Sequence, residues 1–255
     1  MIGHGFTGQW PGILAVMSPI QLVRRGVRRR VDLVPMSPVQ QLRAGRLVRR
    51  VTQLLAGLVL FGVTMALILR AGLGLEPWGV LTYGLIQHIP LSYGEMVVAS
   101  SFVVLLLWIP LRERPGVGTL ANAVAVGLGV ELFSAVIPDV DDLRLRWLLL
   151  VLGVVGNGVA TGMYIGAGMG PGPRDGLMTG IARRRGTIRV VRTSIEVSVL
   201  ITGIALGGTF GVGTIVYAVA IGPLAHVVLP IVTAVGRAEP IRPASGVVGA
   251  NPAHG

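Results

Sequence analysis

Gly72-Leu73-Gly74-Leu75-Glu76-Pro77-Trp78 recurs 96 positions later as Gly168-Met169-Gly170-Pro171-Gly172-Pro173-Arg174. Both copies run on with the same spacing, Leu81 matching Leu177 and Gly84 matching Gly180. A second block, Gly116-Val117-Gly118-Thr119, returns as Gly211-Val212-Gly213-Thr214 at an offset of 95. That match continues through Ala123-Val124-Ala125 against Ala218-Val219-Ala220, and Gly127 against Gly222. Two blocks at nearly one offset predict a chain made of two copies of one unit. Each copy reads as a span, a glycine-proline break, a short helix and two further spans. Proline removes backbone donors and resists a continuous helix. Glycine lets backbone and ligand approach closely.

The segments around the breaks are apolar enough for a bilayer. Residues 51–69 carry no charge and are bracketed by Arg50 and Arg70. At 1.5 Å per residue they reach about 28 Å, the thickness of a hydrocarbon core. Further candidate spans are 96–111, 117–137, 147–169, 190–206 and 212–235. Of the 255 residues, 52% are hydrophobic and only 13% charged. The mean hydropathy is +0.75. A soluble domain carries about a quarter charged residues. This balance disfavours a soluble enzyme, a disordered chain and a disulfide scaffold. The chain has no cysteine, hence no thiolate metal site or thiol nucleophile.

The net charge of +11 comes from 22 arginines clustered at the ends of apolar runs. Such clusters hold the cytoplasmic side of a membrane protein. No basic stripe with interleaved aromatics accompanies them, so no nucleic-acid partner is expected. The rule places the N-terminus, the Arg183-Arg184-Arg185 loop and the C-terminus in the cytoplasm. Residues 1–46 form a basic tail, disordered or lying on the membrane surface. Its cluster Arg24, Arg25, Arg28, Arg29 and Arg30 follows a weak apolar run, the reverse of a signal peptide. It suits an arm for anionic lipid; alternatively, translation starts at Met36. The repeats occupy 47–138 and 144–236, and 237–255 are a C-terminal tail.

The short elements decide the topology. Residues 77–89 and 175–183 supply about 9 to 13 helical residues, too few to cross alone. If neither crosses, each half has three spans and the second is inverted, as in many secondary transporters. If both cross, each half has four and the repeats are parallel. Arginine counts are equal in the two schemes, and length favours six spans. The expected fold is an all-α membrane helix bundle of two inverted repeats with short broken helices.

Ionisable residues inside spans are expensive and are functional candidates. Gly168 and Gly170 open the second break, and Asp175 sits where a helix restarts, as a candidate N-cap. Arg174 beside it, with Glu76 and Trp78 in the first break, completes a candidate solute site. Arg192 and Glu196 lie one turn apart and can form an ion pair; Arg192 can instead hold a substrate anion. Glu131 and His226 are counterparts at an offset of 95 and form a candidate proton-coupling pair. Asn157 between Gly156 and Gly158 suits an interhelical hydrogen bond. Trp78 and Trp108 suit interfacial anchors. No catalytic constellation, metal set, Walker A sequence or cofactor signature is present.

Gly-x-Gly-x-x-Pro-Trp in the first half and Gly-x-Gly-Pro-x-Pro-Arg-Asp-Gly-Leu-Met-x-Gly in the second resemble the YczE/YitT group of bacterial integral membrane proteins. So do Arg192-Thr193-Ser194-Ile195-Glu196-Val197, Gly207-Gly208-x-x-Gly-x-Gly-Thr and Gly222-Pro223. The resemblance covers residues 47–235. It implies a bacterial inner-membrane protein of repeated hydrophobic units, without a firmly assigned activity. One departure stands out. The group carries an acid just after its tryptophan, where this chain has Gly79, and the acid here is Glu76. The expected function is a secondary transporter or permease for a small polar or anionic solute, not an enzyme. The alternative is a scaffold or regulator acting through a protein partner. Membrane lipid, the solute and a second copy of the chain are the expected partners.

Overall fold

A computed structural model describes residues 46–185 and 187–236, excepting the side chains of 185, 226 and 233–236. The basic tail, the Met36 alternative and the C-terminal tail lie outside the described residues. Among them the chain is all helix: α1 Leu47–Ala71, α2 Pro77–Ile86, α3 Tyr93–Leu106, α4 Val117–Val136, α5 Leu143–Gly166, α6 Pro173–Arg185, α7 Ile188–Ala205 and α8 Val212–Gly236.

Local chemistry sets these boundaries. Gly72 ends α1 with φ 58°, and its N–H donates to the Leu69 carbonyl. Pro77 opens α2 behind an extended Glu76, where its missing N–H costs nothing. Ser92 and Glu95 form a reciprocal capping box on α3. Asp142 accepts the Arg144 N–H at the start of α5.

Among the described residues four helices, α1, α4, α5 and α8, are long and apolar enough to cross a membrane. Six were expected. The segment at 96–111 yields α3, whose 14 residues reach about 21 Å. The segment at 190–206 yields the 18-residue α7, which carries Arg189, Arg192 and Glu196. The outer faces are apolar: Leu55 and Val59 on α1, Leu128 and Leu132 on α4, Val151 and Leu152 on α5, and Ile215 and Val219 on α8 are all exposed. Burying polar residues while exposing aliphatic ones suits a lipid surround. Among the buried residues are Arg50, Thr64, Glu76, Thr119 and Asn157.

Small residues let the helices touch. Gly57 lies against the Tyr164 backbone, and Gly153 against Thr64 and Ile68. These contacts advance along α1 as they retreat along α5, so the two helices are antiparallel. Gly62 meets Gly129 of α4, and Gly158 and Gly162 meet Leu224 and Val228 of α8. The tightest approach to backbone joins α2 to the turn after α7. A Cβ at Gly208 would lie 2.1 Å from the Val80 carbonyl oxygen and 2.7 Å from that of Gly203. Both obstacles are backbone and cannot rotate away. Gly208→Ala is expected to cost about 1–3 kcal/mol, read as a lower melting temperature in lipid nanodiscs. Unchanged melting would mean that this contact is looser than described.

Candidate functional site

Both breaks are held by an arginine from the other half of the chain. Arg50 Nε donates to the Ala167 carbonyl at 2.8 Å, and Arg50 Nη2 to the Gly168 carbonyl at 2.7 Å. Arg146 Nε donates to the Ala71 carbonyl at 2.7 Å, and Arg146 Nη2 to that of Gly72 at 2.6 Å. Each guanidinium therefore covers carbonyls that a helix end leaves without partners. Beyond the arginines the chain adopts left-handed backbone, φ 115° at Gly74 and 114° at Gly170. Side-chain-bearing residues rarely adopt that conformation. Backbone bonds then tie each break down, Gly213 N–H to Leu73 O at 2.7 Å and Gly118 N–H to Met169 O at 2.8 Å. Thr119 Oγ1 adds a bond to the Pro171 carbonyl at 2.7 Å.

Arg50 and Gly72 lie 22 residues apart along α1, about 33 Å, so the two breaks start at opposite ends of the α1–α5 pair. The segments that follow converge. Arg174 Nη1 of α6 lies 3.7 Å from Glu76 Oε1 at the start of α2. The Arg174 guanidinium also rests 5.0 Å from the Trp78 ring centroid, close enough for a cation–π contact. Glu76 is 4% exposed and Tyr93 8%. Both Glu76 carboxylate oxygens, the Tyr93 hydroxyl and Trp78 Nε1 are buried without a hydrogen-bond partner of ordinary geometry among the described residues. Groups of this kind are costly in an apolar interior.

Gly79 explains how these groups meet. A Cβ there would lie 2.5 Å from Glu76 Oε2 and 2.8 Å from the Tyr93 hydroxyl. The carboxylate of Glu76 thus sits where a side chain at position 79 would begin. The departure noted at Gly79 moves the acid along the chain but leaves a carboxylate at that spot.

Asp175 is not the helix cap that its position suggests. α6 begins at Pro173, and the Asp175 carboxylate accepts the Tyr164 hydroxyl of α5. Arg192 Nε donates to Glu196 Oε1 at 2.9 Å on α7. Tyr217 of α8 lies within electrostatic reach of Glu76, Arg174, Arg192 and Asp175. Its hydroxyl donates to Asn157 Oδ1 at 2.9 Å, and Asn157 Nδ2 donates to Thr64 Oγ1 at 3.2 Å. The structure therefore gathers Glu76, Trp78, Arg174 and Asp175, with Arg192 and Glu196 at the edge and Gly168 and Gly170 in the supporting break.

Trp108 departs from its expected place, and Glu131 gains a partner on another helix. Glu131 is exposed, and its Oε2 accepts the Gly94 N–H at 2.9 Å. It serves the start of α3. The side chain of its counterpart His226 lies outside the described residues. Trp108 is not an interfacial anchor but is 3% exposed, and its Nε1 donates to the Pro173 carbonyl at 3.0 Å. Arg50 and Arg146 were not singled out from the sequence, although they obey the offset of 96 that relates the breaks. Tyr93, Tyr164 and Tyr217 gave no signal, since a tyrosine in an apolar helix is ordinary.

Residues 48–230 match a family of unknown function, DUF6198. The chain belongs to this family. The DUF6198 protein is 35% identical over 185 residues to an uncharacterized protein of Haemophilus influenzae, covering 72% of this chain and 85% of the relative. It is 34% identical over 188 residues to the uncharacterized membrane protein YczE of Bacillus subtilis, covering 72% and 87%. The uncharacterized protein YyaS of Bacillus subtilis is 29% identical over 183 residues, covering 69% and 90%. No solved structure matches the DUF6198 chain. The resemblance to the YczE group holds over most of the chain, and the apolar helices make it a multi-span membrane protein.

Proposed function

We propose that this DUF6198 protein is a secondary transporter for a small polar or anionic solute. We read it as two inverted repeats in the bacterial plasma membrane, with both ends in the cytoplasm. Support for the repeat comes from contacts that swap between halves. Arg50 serves the second break as Arg146 serves the first, and Gly118 binds Met169 as Gly213 binds Leu73. The antiparallel course of α1 and α5 supports the inversion. Transporters of this design hold substrate where interrupted helices from the two repeats meet.

The observation that carries the proposal is the convergence of the two breaks on Glu76 and Arg174. A buried carboxylate held only loosely, with its arginine at 3.7 Å, is a poor structural choice and a good binding group.

The test is a thermal-shift screen of the protein in lipid nanodiscs against amino acids, carboxylates, phosphates, nucleosides and vitamins. A ligand that binds only the folded state stabilises it by about 2.7 kcal/mol at about 100 times its Kd. At least one polar or anionic solute is expected to respond. That response should vanish in Arg174→Ala and in Asp175→Asn. A response that survives both substitutions would move the site elsewhere. Silence from every compound would count against transport.

A further inference from the structure

Resting on the transport reading, we infer that the solute is a zwitterion, a small molecule carrying both an ammonium and a carboxylate group. Asp175 is engaged by Tyr164, and Arg192 by Glu196. Among the described residues of the site, four groups remain without a hydrogen bond of ordinary geometry or held only at long range. Glu76 presents two acceptor oxygens, and Tyr93 a hydroxyl beside them. Trp78 presents an Nε1–H donor. Arg174 lies over the Trp78 ring and meets Glu76 at 3.7 Å, beyond hydrogen-bond length.

The acceptors and the donors belong to different ligand charges. Glu76 and Tyr93 want a cationic donor, which an ammonium supplies. Arg174 and Trp78 Nε1 want an anionic acceptor, which a carboxylate supplies in the geometry that guanidinium favours. An anion alone would leave Glu76 buried and charged beside a second negative group. A cation alone would add a positive charge next to Arg174. Only a ligand of both charges satisfies each side. Glu76 is 96% buried, whereas the Arg174 side chain is 22% exposed. Arg174 is therefore the group that swings aside, opening a contact already stretched to 3.7 Å. The ammonium end then enters against Glu76, and the carboxylate follows Arg174.

Matched probes on the full chain in nanodiscs test this. Alanine and glycine carry both charges, ethylamine only the positive one and propionate only the negative one. Larger zwitterions (leucine, glutamate and lysine) cover differences in size. At least one zwitterion is expected to raise the melting temperature, with ethylamine and propionate flat. Glu76→Gln, nearly isosteric, should weaken that zwitterion at least about tenfold. Trp78→Phe keeps the ring, removes the Nε1–H and should weaken it several-fold. If Glu76→Gln lowers the ligand-free melting point, Trp78→Phe alone decides. Propionate matching alanine overturns the zwitterion and leaves an anion transporter standing. Flat curves for every zwitterion also overturn it. A zwitterion that binds but shows no counterflow in proteoliposomes would instead sink the transport reading and keep the site.

Discussion

Replacing Arg50 by alanine is expected to lower the unfolding free energy by about 3 kcal/mol, through two charge-assisted hydrogen bonds. Arg50 is buried, and its guanidinium serves the carbonyls of Ala167 and Gly168 just past the end of α5. Carbonyls at a helix end lack partners within the helix, and a cation there also meets the negative end of the helix dipole. Arg146→Ala should cost less, about half as much, because Arg146 is only half-buried. Arg50→Lys keeps the charge but loses the fork and should recover part of the stability. Melting in nanodiscs measures all three. If Arg50→Ala melts with the parent, the carbonyls have another partner and the arginine is not what closes the second break.

Arg174→Gln should destabilise the protein by about 3–5 kcal/mol, because it leaves the Glu76 carboxylate buried and uncompensated. Glu76→Gln combined with Arg174→Gln should restore most of that stability, since no net charge stays buried. The double variant should remain at least about a hundredfold down in solute uptake, because both recognition charges are gone. Stability and uptake thus part company in one pair of variants. A double variant that transports normally would reduce the Glu76–Arg174 pair to packing.

The breaks were legible because their causes are local. Two prolines within three residues, 171 and 173, resist helix wherever they stand, and the glycines beside them take left-handed backbone in the structure. The spans were legible where an uncharged run reaches bilayer length, as in α1, α4, α5 and α8. α7 was read as a span from its apolar residues although Arg189, Arg192 and Glu196 share that helix. Glu131 illustrates what an offset leaves out. Counting makes it the counterpart of His226, and the structure adds the Gly94 N–H of a neighbouring helix as a partner of its carboxylate. An offset relates positions in the chain and says nothing of which backbone donor lies nearest.

The sequence by itself determined the helical class, the apolar spans, the two glycine-proline interruptions and the residues available in them. These follow from hydropathy and backbone chemistry within a few residues. Only the tertiary structure decided that Arg174 faces Glu76, that Arg50 and Arg146 each serve the opposite break, and that Tyr93 and Trp78 carry unmatched polar groups. Those pairings join residues roughly 75 to 120 positions apart. They are set by glycine contacts that fix how closely α1, α4, α5 and α8 approach. No local pattern encodes that distance.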